Sequence, residues 1–96
     1  MVLANIASNY TRVPTGQTAS AIAGGGTIRV HGIVFTGTAT AVATLLEHST
    51  GTTIATINVI GGTSFELKTG FIAHKGLDIT TDANVTCTVF HSPAGA

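Results

Sequence analysis

Apolar and polar positions along this chain repeat with a period of two far more often than with the 3.6-residue period of a helix, which predicts strands. The clearest runs from Thr27 to Phe35, where Ile28, Val30 and Val34 alternate with Arg29, His31, Ile33 and Phe35. Its second half is therefore apolar on both faces, and Gly32 in its middle marks a bulge or a close backbone approach. Thr38 to His48 gives a second strand, with Val42 and Leu46 on one side and Ala41, Ala43 and Leu45 on the other. Ser49-Thr50-Gly51 is a turn signal, and Thr53 to Ile60 follows as the hairpin partner. After Gly61-Gly62, Phe65 and Leu67 alternate with Glu66 and Lys68. Gly70 and Gly76 bracket Phe71 to Lys75, and Leu77 and Ile79 alternate with Asp78 and Thr80. Asp82-Ala83-Asn84 turns into a closing strand, Val85 to His91.

About seven or eight short strands at this spacing predict an all-β, single-domain antiparallel β-sandwich or jelly-roll-like barrel. Parallel α/β architecture needs crossover helices for which the chain has no room. Residues 27–91 form the expected sandwich core and residues 92–96 a tail. Residues 1–26 read as a small-residue segment, with Pro14 and a Gly24-Gly25-Gly26 hinge. They supply edge strands at Asn9 to Val13 and Gln17 to Ile22, or an arm lying on a neighbouring subunit.

Composition narrows the function. Gly, Ala, Thr and Ser make up half of the 96 residues, and only 8% are charged, against roughly a quarter in an average soluble domain. Four Lys/Arg balance four Asp/Glu. Arg12, Arg29, Lys68 and Lys75 are too few to neutralise the phosphates a nucleic-acid binder needs, so no nucleic-acid partner is expected. A hydrophobic share of 44% and a mean hydropathy of +0.47 exclude intrinsic disorder. The first residues lack a signal-peptide pattern, and no apolar run approaches the ~20 residues of a membrane span, so synthesis in the cytoplasm and no membrane partner are expected. So sparse a charge on a surface of about 5,000 Å² is most simply explained by subunit contacts, which predicts a homo-oligomer.

Local motifs for chemistry are sparse. Cys87 is the single cysteine, and with Val85 and Val89 it shares one side of a strand, the pattern of a buried, inert thiol. His31, His48, His74 and His91 contain no close metal-ligand spacing and read as separate surface or interface residues. A fold, or a symmetry axis gathering three copies of one histidine, is what a metal-dependent enzyme would require. Glu47, Glu66, Asp78 and Asp82 occupy positions ordinary for solvated carboxylates. No Gly-x-Ser-x-Gly or P-loop is present, and the triplets Asn9-Tyr10-Thr11 and Asn84-Val85-Thr86 carry no weight without a secretory signal. Of the aromatics, Tyr10, Phe35, Phe65, Phe71 and Phe90, the four Phe are assigned to the core. No catalytic, cofactor-binding or metal-ligating residue is assigned.

Phe65-Glu66-Leu67, Gly76-Leu77-Asp78-Ile79 and Asn84-Val85-Thr86-Cys87-Thr88-Val89-Phe90 together resemble an ending found in small virion proteins of tailed bacteriophages. That ending has a Phe-initiated strand, a Gly-Leu-x-(Val/Ile) strand and a closing Val-Thr-Val-aromatic strand. The Gly32-Ile33 strand and the Thr/Ala-rich hairpin are similar too, so the resemblance spans residues 27–91. Cys87 and His91 depart from it, standing where plain hydrophobic or Tyr residues are expected. The resemblance implies a β-sandwich structural protein, such as a capsid decoration or cement protein. It would be a homo-oligomer, a trimer favoured, bound to capsid or other virion proteins, with no cofactor. The alternative is a small carbohydrate- or receptor-binding β module, tail-associated, which requires an exposed aromatic or a carboxylate-rimmed pocket.

Overall fold

The computed structural model describes residues 9–61, 64–68 and 70–93, through which nine strands run. They are β1 (Asn9–Val13), β2 (Ser20–Ala21), β3 (Ile28–Gly37), β4 (Ala41–Glu47), β5 (Thr53–Val59), β6 (Ser64–Leu67), β7 (Phe71–Ala73), β8 (Leu77–Thr81) and β9 (Val85–Pro93). A short 3-10 turn, Ile22–Gly25, joins β2 to β3. Every pairing is antiparallel.

The strands form two sheets. Sheet A has the order β1-β9-β3-β6, with β7 also paired to β3, and sheet B the order β2-β8-β4-β5. The pairings nest around the β4–β5 turn: β4 with β5, β3 with β6 and β7, β2 with β8, β1 with β9. This is one long hairpin rolled up so that β9 also meets β3 and β8 also meets β4, the winding of a jelly roll. Of the sandwich and barrel forms expected, the sandwich is the one adopted. Each sheet keeps two edges, β1 and β6/β7 in one and β2 and β5 in the other, so the fold is an open two-layer sandwich. Residues 9–26 supply β1 and β2, while residues 1–8 of the expected arm lie outside the described residues.

The core lies between the layers. Val13, Ile33, Phe35, Val85, Cys87 and Val89 face inward from sheet A, and Ala41, Ala43, Leu45, Val59, Leu77 and Ile79 from sheet B. Phe35 is fully buried, a contribution of roughly 1.5–3 kcal/mol from removing its ring from water. The register of β3 explains its doubly apolar sequence. A bulge between Val30 and Gly32 makes His31 an extra residue. Before it the even positions Ile28 and Val30 are buried, after it the odd positions Ile33 and Phe35. Ala41 to Leu46, small-residue-rich though it is, is strand because its odd positions meet this core.

Buried polar groups in sheet B are satisfied locally. Thr81, nearly inaccessible, donates its hydroxyl to the Pro14 carbonyl at 2.7 Å and accepts from the Gln17 N–H at 3.0 Å. That tether fixes the β1–β2 connection onto β8. Among the described residues no buried side-chain polar atom lacks a partner.

Candidate functional site

The fold disperses the titratable side chains. His74 is exposed, His48 pairs with Asp78, and His31 and His91 lie on the neighbouring strands β3 and β9. His91 faces inward, where its Nε2 is 2.9 Å from the Thr11 hydroxyl oxygen. Burial lowers its pKa below the ordinary 6.5, and the charge of His31 lowers it further. His31 turns outward, with Nε2 2.8 Å from the Ser92 hydroxyl oxygen. Among the described residues no three His, Cys, Asp or Glu side chains are placed to hold a metal ion. Cys87 is buried, and desolvation pushes its thiol up to about 12, far from a nucleophilic thiolate.

The carboxylates are not the solvated set expected from sequence. Asp78 is buried, and its Oδ1 lies 2.7 Å from His48 Nδ1. The pair was hidden in the sequence because β4–β8 pairing joins positions 30 residues apart. The His48 ring lies over Gly25, where an added Cβ would come within 2.3 Å of Nε2. Gly76, at φ +78°, approaches the Gly25 carbonyl so closely that a Cβ would sit 2.3 Å from its oxygen. Asp82 accepts from the Val42 N–H at 2.7 Å and the Asn84 N–H at 2.8 Å. Glu47 accepts from the Thr50 hydroxyl at 2.7 Å. Three of the four carboxylates are thus engaged within the chain, leaving Glu66 exposed on sheet A.

Two surfaces stand out instead. On the β5 side of the sandwich, Ile54, Phe71, Ile72 and Ala73 form the apolar wall of an open cleft of about 340 Å³ between β5 and β7, and Glu47, His74 and Lys75 border it. Ile54 is 47% and Ile72 40% exposed, and Ile60 just beyond β5 is more exposed still. β5, Thr-Ile-Ala-Thr-Ile-Asn-Val, is a seven-residue sheet edge without a charge or a proline. An edge of that kind is a template for pairing with another chain unless something covers it.

The second surface is the outer face of sheet A. Cross-strand register places Tyr10, Phe90 and Gly32 in one row, with Arg12, Thr88, Val34 and Glu66 in the next. The Tyr10 and Phe90 rings pack at 6.4 Å between centroids, tilted by 44°. Phe90 is 38% exposed, so it does not belong to the core to which the four Phe were assigned. Phe35 is fully buried and Phe71 partly so. Arg12, Arg29 and Lys68, three of the four Lys/Arg, stand on this face, Arg12 in register with Thr88 and Arg29 with Ser92 on either side of β9. None of them forms an ion pair with a described residue.

The fold is therefore a two-layer antiparallel sandwich with two unusual surfaces. No protein-family profile, no curated protein sequence and no solved structure matches the chain.

Proposed function

We propose that the chain is a structural subunit of a bacteriophage virion, an oligomeric capsid decoration protein that acts through its surfaces. The observation that carries the reading is the β5 side, where an uncharged sheet edge adjoins exposed Ile54 and Ile72 and a cleft with an apolar wall, bordered by Glu47, His74 and Lys75. Covering this side with a second copy removes apolar surface from water and gives the edge N–H and C=O groups partners. Sparse charge across the rest of the chain and the jelly-roll winding, a form that viral capsid proteins share, support the same reading. Each subunit offering β5 to a different patch of its neighbour is a head-to-tail contact that can close into a ring, taken here as a trimer. On this reading the chain carries no catalytic centre.

Solution mass of the untagged chain by light scattering, over about a hundredfold range of concentration, tests the assembly. The expected mass is three times the 9.6 kDa of one chain. A mass of one chain throughout would overturn the reading. The virion assignment is tested by sedimentation with phage capsid shells, in which the oligomer is expected to pellet with the shells and not alone.

A further inference from the structure

The outer face of sheet A is built differently from an assembly surface, and the bulge in β3 is the reason. Gly32 stands in the row of Phe90, where any other residue would project a side chain. A depression of about 190 Å³ opens there, with Phe90 as one wall, Lys68 and Glu66 opposite, and His31 and Val34 along the strand. His31, the extra residue of the bulge, also borders a second depression of about 300 Å³ that includes Arg29, Gly70 and Ile72. Gly70 runs close to β3, where an added Cβ would be 3.0 Å from the Val30 carbonyl. His31 is steadied by Ser92 and divides the two hollows. An aromatic wall, donors on both sides and one carboxylate acceptor make up a chemically mixed site.

We propose that this face binds an acidic oligosaccharide, two adjacent sugar rings occupying the hollows on either side of His31. The C–H face of one ring packs on Phe90, extended by Tyr10. Glu66 accepts from its hydroxyls, and Lys68 and Arg29 receive carboxylate groups, Arg29 in its planar two-point geometry. Charge complementarity selects an anion: Arg29 and Lys68 border the hollows and Arg12 stands farther along the same face, against Glu66 alone, while Glu47, Asp78 and Asp82 are engaged elsewhere in the chain. A nucleic acid fits less well, because three cations neutralise few phosphates and Glu66 repels the backbone. The hollow beside Arg29 shares Phe71 and Ile72 with the β5-side cleft, so the hollow at Phe90, Gly32 and Lys68 is the part of the site clear of the proposed assembly surface.

The test is amide chemical-shift mapping with tetragalacturonate, a neutral galactose tetramer and a short oligothymidylate as probes. Tetragalacturonate is expected to shift His31, Gly32, Lys68 and Phe90, saturably and more weakly as salt is raised. Phe90→Ala and Arg29→Ala are each expected to weaken it at least about tenfold. Lys68→Gln, an exposed change that leaves the fold intact, should weaken it as well. Absent shifts, shifts confined to other surfaces, or equal binding of the neutral tetramer would overturn the proposal. So would tighter binding of oligothymidylate, or shifts on this face that grow with protein concentration alone, which would assign it to a second copy.

Discussion

The two sheets share one interior and present opposite exteriors. Sheet B shows Val42, Ile54, Thr56 and Asn58 to the outside, and the carboxylates around it are engaged with His48, Thr50 and backbone N–H groups. Sheet A shows two rings, three cations without an ion pair to any described residue, and two hollows at a bulge. A surface with exposed Val42 and Ile54 and with its neighbouring carboxylates already engaged gains most from another apolar surface. A surface with unspent charge and a gap in its side chains gains most from a polar ligand that fills the gap. On the proposed reading, assembly and recognition use two surfaces that meet at Phe71 and Ile72 of β7.

The contrast holds only if the interior is common property, and the largest effect should be there. Phe35→Ala in sheet A is expected to lower stability by about 3–5 kcal/mol, read as a fall in the denaturation midpoint. The next largest effect separates the exteriors. Ile54→Lys should weaken self-association by about a hundredfold or more while shifting monomer stability by no more than about 0.5 kcal/mol, and Phe90→Ala should leave the mass unchanged. An equal loss of mass from both variants would erase the distinction. Thr81→Val, which strips a buried hydroxyl from the Pro14 carbonyl and the Gln17 N–H, is expected to cost about 1–3 kcal/mol, measured by the same unfolding titration.

The smallest effect concerns His91, the buried polar group of sheet A. Its pKa is lower folded than unfolded, so between the two values the unfolded chain binds more protons. Stability is therefore expected to be full above 6.5 and to decline as pH falls from there toward the folded value. His91→Asn should flatten that decline in unfolding curves taken at a series of pH values. A decline of the same steepness in the variant would place the titration elsewhere.

Much of the fold was legible because burial imposes the period of two. Ala41, Ala43 and Leu45 alternate with Val42 and Thr44 just as a half-buried strand demands, and Gly32 announced the bulge. What the bulge does was not legible: the switch of inward phase and the hollow over Gly32 depend on β6 and β9 lying at a particular register on β3. Phe90 was misplaced for a different reason. Its alternation with Val85, Cys87 and Val89 already turned it outward, but the economy of burying a ring outweighed that local signal. The His48–Asp78 pair and the placing of Arg12, Arg29 and Lys68 on one face left no local trace, since strand pairings across the sheets create both.

The central claim is that the β5 side, and not the outer face of sheet A, joins the copies. Its most direct test is the solution mass of the wild-type chain and of Ile54→Lys, measured side by side at one concentration, with amide spectra confirming that both are folded. The expected result is three chains for the wild type and a folded single chain of 9.6 kDa for the variant. A wild type that is already a single chain, or a variant that keeps the wild-type mass, would contradict it.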